Sequence, residues 1–344
     1  LQGKRGIRIL TLNQWVPGSS PVGGAPRKKQ TNLCITGGFR FPAHSAIEDR
    51  SHPKRPNWPH GGIFRRWITK RSCGLLMSMA PYLPQRILAL ASFGFVLVMN
   101  AVATALPLGG LSVGGVSRKY DTLFAPIDFT FGIWGLIYLG LAVYSFTQLA
   151  ANTSVIRGVT PWFIIGNLLN GSWIVAWRLE LLWLSTLILA LLLFSLYKIN
   201  QITTAKRTDF ASSLSVRLPF AIYFGWVTVA TIANISSLLV QSGFEEGFGL
   251  SAQAWTVVIL IVAALIGTAT ALVNSSPGYS LVLVWAFWGI YSRHMSETEW
   301  NQQYPDIIFA VQILLPLLAL VTVGALVRWL RQPVGPGMLT EPTG

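Results

Sequence analysis

The residues best suited to chemistry are indole and amide side chains that lie within strongly apolar stretches. Trp134 and Tyr138 are four residues apart in FAPIDFTFGIWGLIYLGLAVY, and Asn170 and Trp173 are three apart in NLLNGSW. Residues at these spacings share one face of an α-helix. An indole ring presents a flat face and one N–H donor, and an amide presents both donors and acceptors. The pattern is suited to holding a flat ligand by stacking and hydrogen bonding.

A third pair of the same kind lies further along the chain. Trp226 precedes Asn234 by eight residues in WVTVATIAN. An amide in hydrocarbon requires a partner, and amide contacts between helices stabilise membrane proteins by about 0.6 kcal/mol on average. The three pairs therefore either line a ligand cavity or fasten helices to one another, and both interpretations stay open at this point.

Catalytic and metal-binding sites are not indicated by the sequence. After residue 86 the chain has one histidine, His294, and no cysteine. The earlier stretches HSAIEDRSH and HPKRPNWPH lack the helical or CxxC framework of a metal site. The apolar stretches carry no central acidic or basic residue, which argues against a proton pump or an ion-coupled carrier. We expect no catalytic residue, no metal and no obligatory cofactor.

Membrane-spanning helices are the elements that must position these residues. The chain is 52% hydrophobic and 11% charged, whereas soluble domains have about 25% charged residues. A spanning helix needs about 20 mainly apolar residues, and the alternating strands of a membrane barrel are absent. The predicted fold class is an all-α polytopic membrane protein. Its predicted spans are 87–106, 127–149, 161–177, 181–199, 217–240, 254–273, 279–292 and 306–329, of which the seventh is short.

The first 80 residues form a separate, basic segment. Residues 1–86 hold 15 Lys and Arg but only 2 Asp and Glu, so they account for nearly all of the net charge of +14. We predict that residues 1–80 are an extension without regular structure. Two origins stay open: translation that begins at Met77 or Met79, or an organelle-targeting peptide. We expect no nucleic-acid partner.

Loop charges predict the orientation of the chain in the membrane. Cytoplasmic loops are enriched in Lys and Arg, and this bias favours both termini in the cytoplasm. Pro126 and Asp128 stand where the second span begins, and both residue types are favoured in the first turn of a helix. Asp128 is expected to start that helix, with contact to a ligand as the alternative.

Together these residues resemble the TspO/MBR family, which comprises tryptophan-rich sensory proteins and the translocator protein. The family places a proline and a Trp-x-x-x-Tyr pair at its second helix, an Asn-x-x-Trp pair in its third, and Trp and Asn eight apart in its fifth. The matching residues here are Pro126, Trp134, Tyr138, Asn170, Trp173, Trp226 and Asn234. The resemblance implies that residues 87–240 form a five-helix bundle and that these residues bind the ligand.

Two features depart from the family pattern. The loop before the second helix has Leu123 and Phe124 where the family carries tryptophans. The chain also continues beyond five helices, with about three additional spans over residues 254–329 and a short tail over residues 332–344.

The resemblance implies a membrane sensor or translocator rather than an enzyme. Its ligand would be a planar hydrophobic molecule, either a porphyrin or another tetrapyrrole, or a sterol-like lipid. The expected partners are the lipid bilayer, this small-molecule ligand and, in a homodimer, a second copy of the chain. The alternatives are a secondary transporter of a small hydrophobic solute, an intramembrane enzyme and a structural membrane assembly protein.

Overall fold

The computed structural model describes residues 82–106, 113–204, 208–244, 249–335 and 337–339. The basic extension, with both of its candidate start methionines, lies outside the described residues, as do residues 336 and 340–344 of the predicted tail. In these ranges the structure is almost entirely helical and contains no β-strand. The predicted all-α polytopic fold class is confirmed.

Eight long helices follow one another along the described chain, with one short helix between the first two. They are α1 (Leu83–Ala105), the short α2 (Val113–Lys119), α3 (Ile133–Ala150), α4 (Ser154–Arg178), α5 (Leu182–Thr204), α6 (Leu218–Gln241), α7 (Ala252–Val273), α8 (Pro277–Met295) and α9 (Pro305–Arg331). A 3₁₀ turn, Asp128–Gly132, leads into α3, and a π-helical turn, Ser213–Arg217, leads into α6.

Local sequence signals explain where several helices begin. Proline opens α6, α8 and α9, because the first turn of a helix does not need its N–H groups for internal bonds. The Thr153 side chain accepts a hydrogen bond from the backbone N–H of Ile156 and caps α4. This helix therefore starts seven residues before Pro161, the residue at which the sequence predicts its start, and Pro161 lies inside it.

Six of these helices are long and apolar enough to cross a bilayer, namely α1, α3, α5, α6, α7 and α9. The chain is therefore a multi-pass integral membrane protein. The other two, α4 and α8, are long but less apolar. Both bury polar side chains inside the bundle, including Asn167 and Asn170 on α4 and Arg293 and His294 on α8. The seventh predicted span, residues 279–292, corresponds to α8, which is longer than predicted and has 19 residues.

The central helix of the bundle is α6, in which 67% of the apolar spanning stretch is buried. It packs against α3, α5 and α8. In turn α4 packs between α1 and α5, and α9 packs against α7 and α8. Glycines allow the closest approaches: a Cβ on Gly225 of α6 would stand 2.9 Å from the carbonyl oxygen of Tyr279 on α8. Of the later helices, α8 therefore packs directly against α6.

Candidate functional site

A cavity of about 830 Å³ lies among α1, α3, α4 and α6, towards the carboxyl ends of α1, α4 and α6. Its volume falls within the range of about 300–1,000 Å³ that small-molecule sites occupy. Six of the seven residues predicted to bind a ligand line it, contributed by three separate parts of the chain. They are Pro126, Trp134, Tyr138, Trp173, Trp226 and Asn234.

One wall of this cavity is a run of nearly parallel aromatic rings. Trp134 stacks on Tyr138, with ring centroids 5.7 Å apart and an interplanar angle of 22°, and on Trp173 at 5.7 Å and 26°. Trp173 continues the run to Trp177 at 6.3 Å and 28°. Trp226 meets Trp134 edge-on at 6.3 Å and 89°. These contacts hold the rings in place and leave ring surface along one side of an apolar hollow.

Asn170, the seventh predicted residue, is fully buried and is not among the cavity-lining residues. Its amide nitrogen donates to the Tyr223 hydroxyl at 2.7 Å, and its oxygen accepts a longer bond of 3.4 Å from the Tyr138 hydroxyl. The Asn100 amide nitrogen lies at the same distance of 3.4 Å from that oxygen. Asn170 therefore stands behind the aromatic wall and connects α1, α3 and α6 through α4.

Asn167, one turn before Asn170, fastens helices instead. Its amide nitrogen donates to the Ser92 hydroxyl of α1 at 3.1 Å, and both side chains are buried. Asn167 joins helices without lining the cavity, whereas Asn234 lines the cavity and also joins α6 to α5 through Ser185 and Thr186.

Several buried donors in the cavity lining lack partners among the described residues. The indole N–H groups of Trp173 and Trp226 make no hydrogen bond there. The Asn234 oxygen lies 2.9 Å from the Ser185 hydroxyl and 2.7 Å from the Thr186 hydroxyl, which leaves its amide nitrogen unpaired. If the amide were turned over, the oxygen would be left unpaired instead. Each buried group without a partner costs about 1–3 kcal/mol.

Charge within the cavity lining is confined to one ion pair at its mouth. Arg118 of α2 and Asp128 both line the cavity and form a salt bridge with each other. Asp128 begins the turn that leads into α3, as expected, and it also lines the cavity, where contact with a ligand stays a prediction. Both side chains are more than half exposed, so the pair contributes little to stability.

A polar cluster beside α2 anchors this side of the mouth. Lys119 and the Tyr120 hydroxyl both donate to the Glu180 carboxylate, and the Gln241 amide donates to the Tyr120 hydroxyl at 3.1 Å. The hydrogen bond from Lys119 holds the pKa of Glu180 below its usual value. The cluster connects α2, which carries Arg118, to the carboxyl ends of α4 and α6.

No group of three or more His, Cys, Asp or Glu side chains that could hold a metal ion is found in the described ranges. The two histidine-containing motifs of the extension lie outside those ranges. What the site offers instead is ring surface, amide and indole donors and apolar walls.

The profile of the family described as TSPO-like protein matches residues 86–324. The chain belongs to the TSPO-like family. No curated protein matches it, and no solved structure matches it. The family is in general one of membrane proteins that are not enzymes.

The TSPO-like match extends beyond the five helices from which the resemblance is read. It begins in α1 and ends within α9, so it includes α7, α8 and most of α9. These later helices contribute no side chain to the cavity lining.

Three side chains that line this cavity are not predicted from the sequence. Trp177 follows Trp173 by four residues, a spacing that places it on the same face of α4 and that the sequence does contain. Phe131 and Arg118 also line the cavity, but no pattern in the sequence marks them. Arg118 lies on α2 and Phe131 in the 3₁₀ turn before α3, and both elements border the cavity.

Proposed function

We propose that this TSPO-like protein is a membrane sensor or translocator that binds a planar hydrophobic ligand in the cavity among α1, α3, α4 and α6. The observation that carries the proposal is the cavity itself: about 830 Å³, with an aromatic wall built from Trp134, Tyr138, Trp173 and Trp177. A flat ring system that stacks on this wall continues the run of nearly parallel rings that these side chains already form. Tetrapyrroles such as porphyrins meet this description, and sterol-like lipids have the size and the apolar surface but lack an aromatic face.

The polar groups of the cavity lining favour a ligand that carries hydrogen-bond acceptors. Trp173, Trp226 and Asn234 each hold a buried N–H group that has no partner among the described residues. These nitrogen atoms are covered by neighbouring atoms, so a small rotation of each side chain is needed to present the donor to a ligand. Pairing such a donor with a ligand acceptor recovers the cost of leaving it unsatisfied. Porphyrins carry acceptors at their periphery, and a sterol carries few.

The test is titration of the purified full chain, in lipid nanodiscs, with protoporphyrin IX while its tryptophan fluorescence is recorded. Trp134→Ala and Trp173→Ala each remove part of the aromatic wall. Since an aromatic pair contributes about 0.5–1.5 kcal/mol, we expect Kd to rise about 2- to 13-fold for each variant.

Trp183→Ala is the matched control, because Trp183 lies on α5 with 62% of its surface exposed and does not line the cavity. This variant should bind with the affinity of the parent. Equal affinity in the parent, Trp134→Ala and Trp173→Ala would reject the cavity as the binding site. Competition with a sterol, recorded in the same titration, distinguishes the two ligand classes.

A further inference from the structure

We infer that α8, which has no side chain in the cavity lining, positions the mouth of the cavity and so sets how a ligand fits there. The mouth segment is defined as residues 121–131, which connect α2 to α3. It contributes five cavity-lining residues, namely Thr122, Ala125, Pro126, Asp128 and Phe131. The statement about ligand fit rests on the proposed function, whereas the statement about positioning does not.

One face of α8 holds the mouth segment at regular intervals. The Trp285 indole N–H donates to the carbonyl oxygen of Thr130 at 3.0 Å. One turn later, the carbonyl oxygen of Gly289 accepts a hydrogen bond from the Ile127 N–H at 3.2 Å. Arg293 follows after a further turn. Residues 285, 289 and 293 are four apart, so they lie along one stripe of the helix.

Arg293 makes the densest set of contacts with the mouth segment. Its guanidinium donates to the Asp121 carboxylate at 2.7 Å and to the carbonyl oxygens of Thr122 and Ala125, both at 3.3 Å. A further bond of 3.2 Å reaches Glu299, which follows α8. Only 6% of the Arg293 side chain is exposed. A buried charge is tolerated only when its hydrogen bonds are satisfied, so this guanidinium restricts where residues 121–125 can lie.

His294 adds a contact from the adjacent position of α8. Its Nε2 atom lies 2.9 Å from the carbonyl oxygen of Leu123 and is fully buried. The bond requires a proton on Nε2, because the carbonyl oxygen can only accept. Together, Arg293 and His294 bind the backbone carbonyl oxygens of Thr122, Leu123 and Ala125.

Gly289 brings the backbone of α8 against the mouth segment. A Cβ at this position would lie 2.2 Å from the Thr130 hydroxyl oxygen, 2.8 Å from its methyl carbon and 3.0 Å from the Cβ of Pro126. Thr130 is fully buried and β-branched, so it cannot turn away at small cost. Any side chain at residue 289 must therefore push Thr130 and Pro126 away from α8 and towards the cavity.

The mouth segment also separates the main cavity from a second one. A cavity of about 400 Å³ between α6 and α7 is lined by Asp121, Thr122, Leu123 and Phe124 on this side, and Thr122 lines both cavities. The segment is thus a thin partition with space on two sides, and without an external support it would have room to move. The contacts with α8 supply that support.

The first experiment measures the accessibility of the mouth segment directly, without any ligand. Thr122→Cys is introduced into the full chain after Cys34→Ser and Cys73→Ser, and the rate of labelling with a maleimide is recorded in nanodiscs. Thr122 is only 6% exposed, so labelling should be slow in this parent. Trp285→Phe removes one hydrogen bond and should accelerate labelling about 2- to 10-fold. Gly289→Ala should accelerate it at least as much.

Matched controls separate positioning from general loosening of the protein. Gly135→Ala places a methyl group where no atom outside its own helix backbone lies within 4 Å, and Trp183→Phe changes an exposed tryptophan of α5 that lines neither cavity. Both should label at the rate of the parent. Adding Thr130→Ala to Gly289→Ala removes the two closest clashes and should restore slow labelling, which general damage to the fold would not do.

The second experiment measures protoporphyrin IX affinity in the same variants with Thr122 retained. Trp285→Phe and Gly289→Ala should weaken binding several-fold, and Thr130→Ala should restore it in the Gly289→Ala background. Labelling rates unchanged in Trp285→Phe and Gly289→Ala, or equally raised in the controls, would overturn the positioning by α8. Faster labelling with unchanged affinity would overturn its effect on the ligand. If the parent itself does not bind the porphyrin, the proposed function fails, and the labelling rates still decide whether α8 positions the mouth.

Discussion

The hydrogen bond between Asn170 and Tyr223 is expected to show strong coupling between its two partners. The Asn170 amide nitrogen donates to the Tyr223 hydroxyl at 2.7 Å, and 0% and 2% of the two residues are exposed. Replacing one partner, as in Asn170→Leu or Tyr223→Phe, leaves the other buried without its bond. That arrangement costs about 1–3 kcal/mol, and replacing both partners costs less than the sum of the two single replacements, because the shared bond is then lost only once.

The magnitude follows from the membrane setting. Coupling between hydrogen-bonded side chains in membrane proteins reaches about 1.7 kcal/mol at most. This bond is short and fully buried, so we expect a coupling energy of about 1–1.7 kcal/mol, near that maximum. The double variant Asn170→Leu/Tyr223→Phe should therefore be about as stable as the less stable single variant, and not destabilised by the sum of both effects.

The assay is reversible unfolding in mixed micelles of a mild detergent and sodium dodecyl sulfate, followed by circular dichroism. Asn170→Leu combined with Tyr144→Phe serves as the control pair. The Tyr144 hydroxyl bonds Thr160 and shares no hydrogen bond with Asn170, so these two changes should add within about 0.5 kcal/mol. If the losses in unfolding free energy caused by Asn170→Leu and Tyr223→Phe are also additive, Asn170 does not organise the aromatic wall in the way that the structure indicates.

Three further predictions concern the cavity and its mouth. Ala233 lines the cavity, so Ala233→Trp should fill part of it, and protoporphyrin IX titration should show binding weakened several-fold while Tm changes little. Because one end of the Asn234 amide has no partner in the described structure, Asn234→Leu should cost less than about 1 kcal/mol of stability yet weaken that binding; a large fall in Tm would contradict this. Burial lowers the pKa of His294 below its usual 6.5, so the unfolded chain binds more protons than the folded chain as pH falls, and stability decreases below about pH 6.5. Tm measured from about pH 8 to about pH 5 should show this decrease, and His294→Gln should flatten it; an unchanged profile in the variant would contradict the assignment.

Much of the helical framework could be predicted because the bilayer imposes a length. Hydrocarbon about 30 Å thick requires about 20 apolar residues per span, and the runs between residues 87 and 329 correspond to the eight long helices. Errors arose at helix ends, as in α4, where Thr153 caps the helix and Pro161 lies inside it. A cap depends on one side-chain bond, which hydropathy does not register.

The candidate site was predictable only in part. Trp134 with Tyr138, and Trp173 after Asn170, follow helical spacing, and that spacing correctly places the members of each pair near one another. It does not show that Asn170 stands behind the wall while Asn234 lines the cavity. Nor does it show that Arg118 and Asp128 meet at the mouth. These outcomes depend on how each helix is rotated about its axis, which neighbouring helices determine through packing.

The amino-acid sequence by itself determines that this chain is an all-α membrane protein with stripes of indole and amide groups on its helices. Hydrophobic length and helical periodicity are local properties, and each can be read within a single segment. Only the tertiary structure decides that three stripes meet around one cavity and that α8 holds the cavity mouth. The bond from Trp285 to Thr130 and the bond from Arg293 to Asp121 join residues 155 and 172 positions apart. Contacts at such separations arise from helix docking, and no local pattern encodes the rotation and depth at which two helices come to rest.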